Sequence, residues 1–323
     1  MISEHIGPED ESSSDNGAAA FSVSRGGMPL SVNRAPSEDL APWVARLVAA
    51  RIDAPDDSLI RCGMCNDLVY ARIVFKGEWT ATTRDGTDLY RNEVLLFGPH
   101  SRYMPLSCAG PVISIGVGLR PGALTKLTGI KTDEIVDRIQ RGDPLGLVEN
   151  DLFDDYPPDG HPDQWLETLE NALRRLIARV EPKQTSNLAQ KFEERTFADP
   201  NFPLGEFAEA QGVSLRKLER VAKRDFGLTP KQVQRRARAL DIAAQLCGVA
   251  DQAEEDELLL RYFDQSHLIR EFAAFFGTTP SSFRKTPRPL MTINVETRQA
   301  RRLEILNRIA PGELRPWEAT SER

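Results

Sequence analysis

The sequence predicts an α+β chain: an N-terminal antiparallel sheet rolled into a barrel or half-barrel, then an all-α C-terminal part. Three observations carry that reading. Between about residue 57 and residue 120, short runs rich in β-branched and aromatic residues (LVYARIVF, EWTATT, EVLLFG, PVISIGVGL) alternate with Asp-Gly and Gly-Pro punctuation, the pattern of strands joined by turns. After Arg120-Pro121-Gly122 the apolar spacing switches to that of helices. Further on, two short helical patterns end in the same way, Phe226-Gly227-Leu228-Thr229-Pro230 and Phe276-Gly277-Thr278-Thr279-Pro280.

Each element follows in order. Residues 1–38 mix Ser, Asp, Glu, Gly and Pro with few apolar positions and read as a disordered tail. Residues 40–52 carry apolar residues at helical spacing, so a short helix is expected to open the sheet region, which spans 39–182. Behind the strands, ALTKLTGI and TDEIVDRIQ read as helices, the second capped by Thr132. Residues 141–162 read as loop. A clear amphipathic helix follows His161-Pro162, with Trp165, Leu166, Leu169, Leu173, Leu176, Ile177 and Val180 on one stripe. Pro182 ends it and marks the boundary to a second unit, expected over 187–286, and residues 287–323 form a C-terminal extension. In it ETRQARRLEILNRI reads as a basic amphipathic helix, packed or free.

Composition narrows the functional classes. The chain has 323 residues, 40% hydrophobic and 28% charged, with a net charge of −7, ordinary for a globular protein. No apolar stretch reaches the roughly 18 residues of a membrane span, and the acidic, polar start is unlike a secretory signal, so a cytoplasmic location is expected. Four cysteines, Cys62, Cys65, Cys108 and Cys247, are too few for a disulfide scaffold. Cys62-Gly-Met-Cys65 has the spacing of zinc and redox sites, but no second ligand pair accompanies it. Reduced thiols beside a strand are the plain reading, and a redox or metal-sensing role is the alternative.

The residues with the strongest functional signal lie between Pro203 and Pro230. A short helix (LGEFAEAQ), the Gly212-Val213 turn and a second helix capped by Ser214 make a helix-turn-helix pattern. Between Ser214 and Leu240 stand nine basic residues (Arg216, Lys217, Arg220, Lys223, Arg224, Lys231, Arg235, Arg236, Arg238) against two acidic ones, Glu219 and Asp225. A local positive cluster on a chain of negative net charge is the footprint of a polyanion site. Candidate DNA contacts here are Ser214, Leu215, Arg216, Lys217, Arg220, Lys223 and Arg235. Basic residues near the start of such a helix reach guanine edges, and later ones meet phosphates.

About fifty residues on, YFDQSHLIREF and FGTTPSSFRK form a second such unit. Together with Ala208, Gly212-Val213-Ser214 and FGLTPK, these motifs make residues 187–286 resemble the AraC/XylS family of transcription regulators. The resemblance implies two helix-turn-helix units joined by a long helix, here Pro230 to Leu246. It also implies recognition helices over Leu215–Asp225 and Gln265–Phe275 that enter successive major grooves. Gln265, Ser266, His267 and Arg270 become DNA-contact candidates on that basis. The segment from VLLFGPHSRYMP to GVGLRPGALTKLTGI resembles the cupin-like effector domain that precedes some of these regulators. By resemblance, then, the partners are double-stranded DNA, RNA polymerase, a small-molecule effector in the barrel and a second copy of the chain. Activation is the commoner mode in the family.

Two departures and two rival classes qualify the likeness. Arg261 stands where a turn glycine is usual, and Glu257 where a small residue usually packs. The segment from Asp251 to Glu257 sets five carboxylates beside a surface expected to face phosphates, which opposes binding. A regulator that has lost DNA binding and acts by protein contact is therefore one rival. A cupin-type enzyme is the other, but metal catalysis needs clustered His and carboxylate ligands, and the sheet region holds only His100, read as structural. No phosphate loop or nucleophile elbow appears. No catalytic residue, metal ligand or cofactor is expected.

Overall fold

The computed structural model describes residues 21–25, 27–182, 186–251 and 265–318, with the side chains of 265–268 left aside. Eight strands, β1 (Val32–Arg34), β2 (Val44–Ile52), β3 (Leu59–Met64), β4 (Val69–Thr83), β5 (Gly86–Tyr90), β6 (Glu93–Phe97), β7 (Met104–Leu119) and β8 (Ile139–Arg141), form one antiparallel sheet. Its order is β1-β2-β7-β4-β6-β8, with β3 also on β7 and β5 also on β4. The register of β4 on β7 shifts on either side of Lys76, beside Gly77 at φ +94°. Bulges of this kind bend long strands, so β7 pairs with β2 through Val112–Leu119 and with β3 through Met104–Ala109. The sheet is therefore rolled but open: among the described residues no pairing joins β1 to β8.

Among the described residues ten helices follow or flank the sheet: α1 (Ala123–Thr128), α2 (Leu152–Asp155), α3 (Pro162–Val180), α4 (Asn187–Ala198), α5 (Leu204–Ala210), α6 (Leu215–Phe226), α7 (Pro230–Leu246), α8 (Gln265–Phe276), α9 (Pro280–Lys285) and α10 (Pro289–Ile305). The α3 helix starts as its sequence directs, with a capping box between His161 and Gln164 and Pro162 in the first turn. Its stripe of Trp165, Leu166, Leu169, Leu173 and Leu176 packs on the outer face of the sheet, with Trp165 against Phe75 at a ring separation of 5.7 Å. The inner face, from Cys62, Met64 and Tyr70 to Trp79, Phe97 and Leu106, shares one continuous core with α7, α8, α9 and α10.

Three sequence expectations are corrected. Residues 44–52 are strand β2, not a helix, because all but one of its residues are buried. A strand covered on both faces is apolar at nearly every position, which imitates helical spacing. The expected helix over 132–140 is only a 3-10 turn, Thr132–Glu134, before strand β8. Residues 1–20 and 26 lie outside the described residues, but the described part of the expected tail is ordered. Leu30, Ser31 and Asn33 are buried, and β1 pairs with β2. What orders them is distant in sequence: Ser31 Oγ and Asn33 Nδ2 donate to the Glu296 carboxylate at 2.8 and 3.0 Å.

The C-terminal extension is an interior element. Residues Leu290 to Leu303 of α10 are all buried, between β2 and β3 on one side and α7 on the other. A helix with this many polar residues survives burial because its charged residues find partners of opposite sign. Arg298 pairs with Asp241 of α7 at 2.6 Å, Arg301 with Glu193 of α4, and Glu304 with Arg46 of β2 at 2.5 Å. Asn294 donates to Asn66 Oδ1 at 2.8 Å and accepts from the Cys65 amide at 3.1 Å.

Candidate nucleic-acid interface

The first helix-turn-helix unit is built by local rules. Helix α5 ends where Gly212 takes the left-handed conformation at φ +62°, and the Val213 amide returns to the Ala208 carbonyl at 2.9 Å, a closing bond of glycine-terminated helices. Ser214 then caps α6, its Oγ accepting from the Lys217 amide at 3.2 Å. Leu218, Val221, Ala222 and Phe226 fix one face of α6 in a core with Phe192, Phe202 and Phe207.

The other end of α6 is held by the sheet region. The Gly122 amide donates to the Asp225 carbonyl at 3.2 Å, and Gly227, at φ +70°, lies against Val136 and Thr132. At about 1.5 Å per residue, the capped first turn of α6 stands roughly 16 Å from that docked end. Its exposed residues are Leu215, Arg216, Lys217, Glu219, Arg220, Lys223 and Arg224.

The structure sorts the nine basic residues into two sets. Arg216, Lys217, Arg220, Lys223 and Lys231 are exposed and make no ion pair among the described residues. The other four are engaged. Arg224 pairs with the buried carboxylate of Asp225 at 2.5 Å. Arg235 and Arg238 both grip Glu271 of α8, at 2.9 and 2.8 Å. Burial alone would raise the pKa of Glu271, but the hydrogen bonds from Arg238 and Arg235 outweigh it and hold the carboxyl below its ordinary value. Arg236 is interior, donating to the carbonyls of His100 and Asp67 at 3.1 and 2.8 Å. Arg235, a candidate contact from the sequence, thus joins the two units through Glu271 while half of its side chain stays exposed.

In the second unit α8 spans the segment expected for the recognition helix, and Ile269 and Arg270 are exposed on it. The side chains of Gln265, Ser266 and His267 lie outside the described residues, as do Arg261, Glu257 and the acidic run after Asp251. Thr279 caps α9 with its hydroxyl on the Ser282 amide at 3.3 Å. Thr229 caps α7 in a capping box with Gln232. The repeated Phe-Gly-x-Thr-Pro motif is therefore twice a helix end, a glycine cap and the next helix start. The Tyr103 amide donates to the Phe275 carbonyl at 2.9 Å, so this unit too is bonded to the sheet region.

Other residues singled out in the sequence have structural surroundings. His100 is buried, with Nδ1 accepting from the Asn66 amide at 3.1 Å; burial lowers its pKa to about 4. Cys62 and Cys65 lie under α10, where the Met291 amide meets Cys62 Sγ at 3.3 Å. Burial pushes both thiols above their ordinary pKa, which disfavours the reactive thiolate. Among the described residues no three His, Cys, Asp or Glu side chains gather as a metal site. No helix among them is long and apolar enough to cross a membrane.

Comparison with known proteins bears on the same residues. Residues 207–286 match a helix-turn-helix domain of the AraC type, and residues 33–140 match a domain of unknown function, DUF6597. No curated protein matches the chain by sequence. Among solved structures, an apo variant of ToxT from Vibrio cholerae is similar over 75% of this chain and 97% of its own, at 9% identity and a TM-score of 0.46. Wild-type ToxT with bound unsaturated fatty acid is similar over 76% and 97%, at 9% identity and a TM-score of 0.44. The AraC-like transcriptional activator CuxR is similar over 65% and 86%, at 12% identity and a TM-score of 0.26. Likenesses at these scores establish nothing about this chain, and the assignment rests on the matched domain. Residues 207–286 thus carry an AraC-type helix-turn-helix domain, the kind of domain through which transcription regulators bind DNA.

Proposed function

We propose that the chain recognises a specific duplex sequence through α6 and α8, and that the sheet region regulates this through a small-molecule effector or dimerisation. One observation carries the reading: the exposed face of α6 presents Arg216, Lys217, Arg220 and Lys223, with no carboxylate among the described residues paired to any of them. Unpaired cations on a capped, rigidly anchored helix suit the major groove, where arginine meets guanine N7 and O6 and the duplex supplies the missing anions. Leu215, 49% exposed in the first turn, suits apolar contact with a thymine methyl, and Ser214 contact with a backbone phosphate. Helix α8 with Gln265, Ser266, His267 and Arg270 would enter the next major groove on the same DNA face. The protein would act in the cytoplasm, on RNA polymerase at promoters.

The test is retention of genomic fragments by the purified chain at two salt concentrations, followed by sequencing. The expected result is enrichment of a motif about two helical turns long, with affinity falling as salt rises. A motif of one half-site would confine base reading to α6. No retention at either salt would defeat the reading and favour a regulator that works through protein contacts alone.

A further inference from the structure

The exposed face of α6 carries one residue that its basic surroundings do not account for. Arg216, Glu219, Arg220 and Lys223 follow the i, i+3, i+4, i+7 spacing of a single helix face, opposite the buried Leu218, Val221, Ala222 and Phe226. Glu219 is thus the centre of the stripe. It is exposed, and it makes no ion pair or hydrogen bond among the described residues, although cations stand three positions before it, next to it and four positions after it. Glu followed by Lys at i+4 is the favourable orientation for a pair within a helix, and Glu219 does not take it with Lys223.

A carboxylate in the middle of a polyanion-binding face is repelled by phosphate. That repulsion is offset where the carboxylate meets a donor on a base edge. The major groove offers two such amines, the cytosine N4 and the adenine N6. On adenine the amine stands beside N7, an acceptor that repels a carboxylate, whereas on cytosine the amine's neighbour on that edge is an apolar carbon. Cytosine is therefore the match for a lone carboxylate, and the guanidiniums of Arg216 and Arg220 match guanine.

Building on the reading of α6 as a recognition helix, we propose that Glu219 accepts a hydrogen bond from the N4 amine of one cytosine in the operator. The flanking arginines would contact guanines beside it. The sequence read by the first unit is then anchored on G·C pairs, and the carboxylate discriminates among bases instead of merely lowering affinity.

Selection from random duplexes with the full chain, wild type and Glu219→Gln in parallel, tests this. The wild type is expected to fix cytosine at one position. Glu219→Gln is expected to relax that position about tenfold, toward adenine, while the remaining positions keep their preferences. Replacing the selected cytosine by a pyrimidin-2-one nucleotide, which lacks the 4-amino group, should weaken the wild type by a similar factor and leave Glu219→Gln nearly unchanged. A Glu219→Gln chain that binds every sequence more tightly with unchanged preferences would overturn the proposal, since Glu219 would then act by repulsion only. Binding without a selected cytosine would overturn it equally. A wild type that retains no duplex even at low salt would fail an earlier step, the DNA-binding reading itself, and take this inference with it.

Discussion

Arg216, Arg220 and Arg236 look alike in the sequence, yet their surroundings give them opposite work. The first two face solvent without partners among the described residues, whereas Arg236 fills the junction between α7 and the β3–β4 turn with bonds to His100 and Asp67. Replacing both Arg216 and Arg220 by Ala should cut operator affinity at least tenfold and flatten its salt dependence, at about 1–3 kcal/mol for each lost guanine contact. Its urea midpoint should stay unchanged, because neither side chain is buried. Arg236→Ala should do the reverse, costing on the order of 3 kcal/mol in a urea melt by stranding two carbonyls. His100 adds a pH dependence to the same junction, where it faces Arg236, Arg72 and Asp137. Its folded pKa of about 4 lies below the ordinary 6.5, so the neutral ring is the native form. Stability from this group is complete above pH 6.5 and is lost as pH falls toward 4, up to roughly 3 kcal/mol. A His100→Gln chain measured across that range should show a flatter decline if this accounts for it.

At the scale of elements, the end of α6 shows how turn chemistry and docking coincide. Gly227 is needed twice, for its φ of +70° and because a Cβ there would lie 2.5 Å from a methyl of Val136. Gly227→Ala should therefore cost more than the roughly 1–2 kcal/mol of a left-handed alanine. Thermal melts should show this as a loss of several degrees in Tm. Gly212, at φ +62° with open space around it, should cost only the backbone part when changed to Ala. The difference between the two variants isolates the contribution of the sheet region to holding the recognition helix.

For the molecule as a whole, α10 decides whether its parts are separable. Its Arg298, Arg301 and Glu304 neutralise Asp241, Glu193 and Arg46, and its apolar side covers the inner face of the sheet. A chain ending at Pro287 would leave those three charges without their ionic partners, at about 3–5 kcal/mol for each broken pair. Expression of residues 1–287 should give aggregated or dye-binding protein instead of a stable DNA-binding chain, as gel filtration would show. A fragment ending at Pro182, which the sequence suggests as an independent unit, is expected to behave likewise, because α7 to α10 supply the cover of its inner face. A monodisperse, cooperatively melting fragment would contradict this and restore the boundary at 182.

The sequence by itself determined the local features. It placed α3 and α6 nearly to the residue, the Gly212 turn, the Ser214 cap and the twice-used Phe-Gly-x-Thr-Pro corner, since all of these depend on neighbours within a few positions; the span of α7 came from the family resemblance. It also located the basic face of α6. Tertiary structure alone decided which cations remain free, since Arg235 and Arg238 meet Glu271 more than thirty residues away. It made β2 a strand and β1 an ordered edge, and it turned the basic-looking tail helix into an interior strut. Those outcomes rest on pairings such as Asn33 with Glu296, 263 positions apart. No local pattern encodes such a contact, because burial of a polar residue follows from its partner and not from its neighbours in the chain.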